Sequence, residues 1–296
     1  MSLGNLLRYD GRVAIITGSG RGLGRAYAEF LASRGALVLV NDVFGGSAEE
    51  VAQAIRAAGG VAIASAHSVA QEEGATQIAE TALREFGHVD IFIHNAGKAA
   101  ADLKEHLDIN VWGAVWISKL LWRQMRERRY GRILLTASGI GFYGNAADAE
   151  FGEDALYGVA KMGEVGLMRH LAVRGVDDNI TANIISPLAH TNSLTTSSEL
   201  YSWTPRIRWV RENCTVDTVV PVAAWLVHED CRITGESYRA AGGRVGRIFI
   251  GETLGYVNAA LSAEDVRDNI DLVRAEPGYV VPRHADESPE LDRISR

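Results

Sequence analysis

The sequence predicts a single α/β domain: one doubly wound parallel sheet with helices on both faces. Two observations carry that prediction. Apolar runs of strand length alternate with amphipathic helical segments through most of the chain, and the first run enters a glycine-rich turn that opens a helix. A third is compositional: 47% of the 296 residues are hydrophobic and 23% charged, which suits a globular chain with a sizeable core.

In order, residues 12–17 (RVAIIT) read as a buried strand, followed by the glycine turn and a helix over 22–33. ALVLVN at 36–41 is a second strand, with a helix over 47–58. Residues 61–65 form a third strand and 71–86 a helix, and DIFIH at 90–94 is a fourth strand. The spacing predicts a long helix over 111–128, a strand over 132–137 (RILLTA), a helix over 157–174 and a strand over 180–185. A weak seventh strand covers 235–240. Strand–helix alternation of this kind implies right-handed crossovers, with ligands bound beyond the carboxyl ends of the strands.

Charge and proline change the picture near the end. Residues 262–296 hold nine acidic and five basic side chains and three of the six prolines, Pro277, Pro282 and Pro289. Residues 1–261 are therefore expected to form the body and 262–296 a polar extension, with a short helix over 262–274 capped by Ser262. The net charge of -7 argues against a nucleic-acid partner. No apolar run approaches the roughly 18 residues of a membrane span, so no membrane partner is expected. The start, MSLGNLLRYD, carries no apolar leader core. Cys214 and Cys231 make no disulfide framework, and cysteine and histidine spacing suggests no metal site. A reducing, cytoplasmic setting is the expectation.

The turn TGSGRGLG runs from Thr17 to Gly24. Gly18, Gly22 and Gly24, with Arg21 and Leu23 between them, would let backbone approach a pyrophosphate at a helix N-terminus, as in Rossmann-type dinucleotide sites. Asp42 ends the second strand, where a carboxylate accepts hydrogen bonds from ribose hydroxyls and repels a 2′-phosphate. Arg21 could instead meet such a phosphate. Asp42 acts at the ribose edge itself, so NAD is expected ahead of NADP. Tyr157 and Lys161 stand at i and i+4 on a predicted helix and share one face. A neighbouring ammonium eases proton loss from a phenol.

Taken with Asn95-Ala96-Gly97 after the fourth strand, Asn110 at the start of the long helix and Ser138 after the fifth strand, this ordered set resembles the short-chain dehydrogenase/reductase family. The resemblance covers residues 8–255. It implies that Tyr157 exchanges the substrate proton, that Lys161 holds the nicotinamide ribose, that Ser138 positions the substrate oxygen, and that Asn110 anchors a relay water. It also implies that Ser68, Val69, Asn95, Ala96 and Gly97 lie along the adenosine side, and that Pro187 and Thr191 lie by the nicotinamide. GLGRAYAEF, GALVLVND, YGRILLTASGIGFYGN and AAWLVHEDC look like the hydroxyacyl-CoA dehydrogenase module of multifunctional β-oxidation enzymes.

The expected activity is thus interconversion of a secondary alcohol and a ketone with NAD(H), on a small molecule of the bulky hydroxyacyl, steroid or terpenoid kind. A homodimer or homotetramer is expected. The alternative is a dinucleotide-binding regulatory or scaffold protein with little turnover.

Departures from the family pattern are also visible. The 97–110 interval is short, an acidic insertion brings Asp148, Glu150, Glu153 and Asp154, Leu188 follows Pro187 where glycine is usual, and His94 replaces the commoner asparagine. Residues 190–215 read as a substrate lid with Tyr201, Trp203 and Trp209 among Arg206, Arg208 and Arg211, or as an amphipathic helix whose aromatics pack on the body.

Overall fold

The computed structural model describes residues 6–97, 102–144, 153–191 and 205–287. Its backbone contacts divide it into two compact units, Met1–Arg247 and Ile248–Arg296.

The first unit is built on one sheet in the order β3-β2-β1-β4-β5-β6-β7-β8. The strands are β1 Val13–Ile16, β2 Leu37–Asn41, β3 Val61–Ser65, β4 Ile91–His94, β5 Gly131–Thr136, β6 Ile180–Leu188, β7 Ser237–Ala241 and β8 Arg244–Ile248. Every pairing from β3 across to β7 is parallel. The predicted strands are all present, and β8 is an addition that the sequence reading did not include. Gly242 and Gly243 join β7 to β8 at φ +53° and +79°. Two consecutive positive φ values make a tight hairpin that glycine adopts without strain, and it turns the chain back antiparallel. β8 was illegible because RVGRI is too polar and exposed to read as a buried strand.

Helices α1 Gly22–Ser33, α2 Gly45–Ala57 and α3 Glu72–Phe86 follow the first three strands. Then come α4 Leu103–Leu107, a π turn at Asp108–Trp112, α5 Gly113–Arg128, α6 Gly139–Tyr143, α7 Glu153–Gly175, α8 Pro205–Asn213 and α9 Val220–Leu226. Side chains alternate faces along each strand. Ala14 and Ile16 of β1 therefore enter one core with Tyr27, Leu31, Val51 and Val220, under α1, α2 and α9. Val13 and Ile15 enter the other, with Phe92, Ile117, Leu121 and Met168, against α3, α5 and α7. Burial of each of the Val, Leu, Ile, Phe and Met side chains among them contributes about 1.5–3 kcal/mol. The chain winds outward from β1 to β3, then crosses back to β4 on the other side of β1. That reversal opens a crevice beyond the carboxyl ends of β1 and β4.

The second unit is closed by local pairings. Phe249 stacks on Tyr279 at 5.6 Å, Glu252 and Val280 exchange two backbone hydrogen bonds of 2.9 Å, and the Thr253 hydroxyl donates to the Val273 carbonyl at 2.7 Å. These contacts join residues 249–261 to the segment beyond them, so the contact boundary falls at Arg247, ahead of the composition change at 262. Ser262 caps α10, Ala263–Asp268, in a reciprocal capping box with Asp265. The helix expected over 262–274 is broken at Asn269, and α11 covers Ile270–Val273.

Candidate active site

The glycine turn is shaped by steric necessity. Gly18 and Gly22 sit at φ +61° and +57°. A Cβ on Gly24 would lie 2.3 Å from the Gly18 carbonyl oxygen and 2.6 Å from Asn95 Nδ2. The turn therefore presents bare backbone at the N-terminus of α1, where the first N–H groups have no partner within the helix. Arg21 precedes the helix in extended conformation, with its guanidinium 5.8 Å from the Phe44 ring centroid, and Leu23 packs on the core.

Asp42 follows β2 and is 7% exposed. One oxygen accepts the Gly20 N–H at 3.1 Å and the other the Phe44 N–H at 3.0 Å. The carboxylate is thus held at the rim of the glycine turn, and each oxygen keeps a lone pair for a ribose hydroxyl.

Asn95 braces the same turn. Its amide donates to the carbonyls of Thr17 and Gly18 at 3.2 and 3.0 Å. Thr17 Oγ1 accepts the N–H groups of Asn95 and Ala96, both at 3.1 Å, which directs its own proton to His94 Nδ1 at 3.1 Å. His94 Nε2 then donates to the Ile109 carbonyl at 3.0 Å. Burial, with the Lys161 charge behind it, pushes the His94 pKa down to about 3. The sequence reading missed Thr17 as a hub. The signal was a polar residue next to His94 at the ends of two adjacent buried strands.

That depressed pKa has a testable sign. Unfolded, His94 takes up a proton near 6.5, whereas folded it stays neutral down to about 3. The unfolded state binds more protons across that window, so this contribution to stability is present above about 6.5 and is lost as pH falls toward 3. His94→Asn is expected to flatten the acid side of the stability curve between those limits, measured by urea unfolding against pH.

Gly97 closes over the next group. A Cβ there would lie 2.9 Å from Asn110 Oδ1 and 3.4 Å from Lys161 Nζ. Asn110 does not open a helix, as the sequence suggested. The helix begins at Leu103, and Asn110 lies in the π turn, where the Gly113 N–H reaches back to Asp108 O. The short 97–110 interval hid this, because helical periodicity is interrupted at the turn. Asn110 Nδ2 donates to His106 O at 2.8 Å, and its Oδ1 is buried with no hydrogen-bond partner among the described residues.

Ser138 ends the segment after β5 and caps α6, its Oγ accepting the Ile140 N–H at 3.3 Å. α6 packs on α7: a Cβ on Gly141 would lie 3.3 Å from that of Lys161. On α7, Lys161 Nζ lies 5.7 Å from the Tyr157 ring centroid and donates to the Thr136 carbonyl at 2.6 Å. The His106 ring stands 5.7 Å from the Tyr157 ring. Lys161 Nζ also donates to Glu164 Oε1 at 3.0 Å, a partner the sequence reading did not name. It was visible as an acid three residues after Lys161 on an otherwise apolar helix face. Arg239 of β7, also missed, donates to Ser186 Oγ at 3.0 Å and lies against Gly139, next to Ser138.

The remaining predicted residues are more peripheral. Val69 is buried, and a Cβ on Gly113 would touch it at 2.9 Å. Ser68 Oγ accepts the Ala70 N–H at 3.2 Å. Pro187 is paired with Ala240 in the sheet, and the Thr191 methyl group lies 3.5 Å from the Cβ position of Gly22, across the glycine turn. Tyr201, Trp203, Asp148 and Glu150 lie outside the described residues, as do the side chains of Glu153 and Arg206. Trp209 of α8 sets its ring edge 2.6 Å from the Cβ position of Gly242, so this aromatic packs on the β7–β8 turn.

Taken together, a phenol and an ammonium on one helix face, a serine hydroxyl on the adjoining helix and a side-chain-free glycine turn lie at the carboxyl edge of a doubly wound sheet. That combination defines a dinucleotide-dependent oxidoreductase. The family model for short chain dehydrogenases matches residues 12–199, and the chain belongs to that family, whose members act on CH–OH groups with NAD(P). The chain is 35% identical over 291 residues to the peroxisomal multifunctional enzyme type 2 of Mus musculus, covering 90% of this chain and 37% of that protein. It thus spans little more than a third of that relative's length. The full-length peroxisomal multifunctional enzyme type 2 of Drosophila melanogaster superposes with a TM-score of 0.77 at 29% identity, over 97% of this chain and 51% of that one. A 7α-hydroxysteroid dehydrogenase in complex with NADH and 7-oxo glycochenodeoxycholic acid superposes with a TM-score of 0.68 at 25% identity, over 82% and 98% of the two chains.

Proposed function

We propose that the chain interconverts a secondary alcohol and a ketone with NAD(H) on a bulky hydroxyacyl or steroid-like substrate. The observation that carries this reading is the Tyr157–Lys161 pair, held between Thr136 O and the Tyr157 ring with Ser138 on the adjoining helix. Bound along the glycine turn, the dinucleotide supplies the hydride acceptor or donor. The Gly18–Gly24 turn and Asp42 hold its phosphate and adenosine-ribose end. Ser138 Oγ orients the substrate oxygen, and the Tyr157 hydroxyl exchanges a proton with it. Lys161, charged and fixed to Thr136 O, stabilises the phenolate form of Tyr157.

Support for the substrate class comes from the resemblance to hydroxyacyl-CoA dehydrogenase modules and from similar proteins named a peroxisomal multifunctional enzyme and a hydroxysteroid dehydrogenase. Parallel assays with NAD and NADP against 3-hydroxyacyl-CoA, hydroxysteroid and terpene-alcohol panels test it. Absence of turnover on every panel, with the dinucleotide bound, would refute the reading.

Support for NAD comes from Asp42, a buried carboxylate at the rim of the glycine turn that would repel a 2′-phosphate bound there. Asp42→Ala is expected to raise the NADP-to-NAD ratio of kcat/KM by about tenfold or more, the equivalent of losing one charge repulsion of about 1.4 kcal/mol. An unchanged ratio would count against Asp42 as the selector.

A homo-oligomer is also proposed. Trp112 and Trp116 stack at 5.8 Å at the start of α5, where Trp112 is 48% exposed, and Val159 on α7 is 51% exposed. Such apolar surface suits a subunit contact. A light-scattering mass of at least two chains is expected, and a monomer mass would refute it. Cys214 and Cys231 are free and buried, which suits a reducing compartment such as the cytoplasm.

A further inference from the structure

The site contains a third ionisable group that the proposed proton exchange does not use. Glu164 follows Lys161 by three residues on α7 and is fully buried. Its Oε1 accepts from Lys161 Nζ at 3.0 Å, while its Oε2 is buried with no hydrogen-bond partner among the described residues. Tyr157, Lys161 and Glu164 stand at i, i+4 and i+7, one continuous face of the helix. Carboxylate, ammonium and phenol therefore form a single file in a dry interior.

We infer that Glu164 is a positioning residue acting through Lys161, and that its charge sets the pH at which Tyr157 changes from proton donor to proton acceptor. The inference rests on the proton-exchange role proposed for Tyr157. Three facts support it. Thr136 O and Glu164 Oε1 take two of the three ammonium protons, which aims the third. A carboxylate at 3.0 Å also offsets much of the positive field that reaches Tyr157. Finally, the pair responds to pH. Burial raises Glu164 to about 7 despite the opposing pull of Lys161. Burial alone would lower Lys161, but Glu164 and Tyr157 together hold it above its ordinary value.

The other charged or titratable groups packed around this file are few. His94 of β4 is neutral, its pKa lowered by burial and by Lys161. His106 of α4 stands against the Tyr157 ring, and Arg239 of β7 lies behind Gly139 of α6. β6 contributes no ionisable side chain. Among the described residues, Glu164 is thus the only carboxylate that pairs with Lys161. When ionised, it offsets part of the Lys161 charge that would otherwise stabilise the phenolate. An ionised Glu164 thus favours Tyr157 as the acid, the form that ketone reduction requires.

The test needs no substrate. In the full chain, with and without NAD, the tyrosinate absorbance that disappears in Tyr157→Phe is titrated in the wild type, Glu164→Gln and Glu164→Met. Glutamine keeps the shape and an acceptor for Lys161, and methionine fills the same volume without polarity. The expected result is a midpoint about one pH unit lower in both variants, with NAD affinity within about twofold of wild type. A low midpoint that coincides in wild type and variants overturns the Glu164 assignment and leaves the Tyr157 role standing. A midpoint near 10, that of free tyrosine, in all forms overturns both. Loss of fold in both variants also overturns the assignment, because the carboxylate would then be holding the helix rather than tuning the phenol.

Discussion

Tyr157→Phe is expected to lower kcat by about 10²- to 10⁴-fold, the contribution of one positioned acid–base group. The substitution removes a single oxygen. The ring packing against His106 and the 5.7 Å approach of Lys161 both involve the ring, which phenylalanine retains. The glycine turn follows β1 and Asp42 follows β2, so neither is on α7. Dinucleotide affinity should therefore change by less than about twofold, and stability by less than about 1 kcal/mol. Single-turnover kinetics with calorimetry separates these quantities. Retained turnover would remove Tyr157 from the proton-exchange step, whereas a collapse in dinucleotide affinity would give it a binding role instead.

Gly24→Ala is expected to abolish measurable dinucleotide binding and to cost about 3 kcal/mol of stability, at the upper end of overpacking penalties. The new methyl group would stand 2.3 Å from the Gly18 carbonyl oxygen, 2.6 Å from Asn95 Nδ2 and 2.8 Å from Ser19 Cα. Two of those three neighbours are backbone and cannot swing aside. Relief would need α1 to move away from the turn, breaking the Asn95 brace and the Asp42 bond to Gly20. Ala28, four residues along the same helix, has no exposure and anchors α1 in the core, which resists that motion. Thermal unfolding and calorimetry with NAD check both parts. Near-normal affinity would mean that the turn tolerates far more displacement than its geometry suggests.

Fold and site were legible in the sequence to different depths. The interior strands announced themselves because both their faces are buried, so VAII and LVLV are continuous apolar runs. β8 did not, because it pairs on one edge only and carries Arg244 and Arg247. Within the site, Gly18, Asp42, Ser138, Tyr157 and Lys161 could be named from type and spacing. What spacing could not show was which polar side chains serve the protein itself. Asn95 holds the turn, Ser68 bonds its own loop, and Thr17 is a three-way junction, each defined by neighbours distant in sequence. Arg239 was hidden for a related reason, and the inward turn of Glu164 could be suspected only from its place on an apolar helix face. A single charge in an amphipathic or strand segment reads as solvent-facing until packing shows it turned inward.

The π turn at Asp108–Trp112 amounts to one surplus residue in an otherwise regular helix running from Leu103 to Arg128. A helix with one residue removed there would close into regular α geometry, at the cost of rotating everything upstream by about 100°. His106 would swing off the Tyr157 ring, the Asn110 amide off Gly97, and Ile109 out of its place in the core. Length in this segment is therefore under tighter constraint than composition. A conservative substitution at Ile109 or Val111 should be survivable, whereas a one-codon deletion should dismantle the site and weaken the core around Ile109.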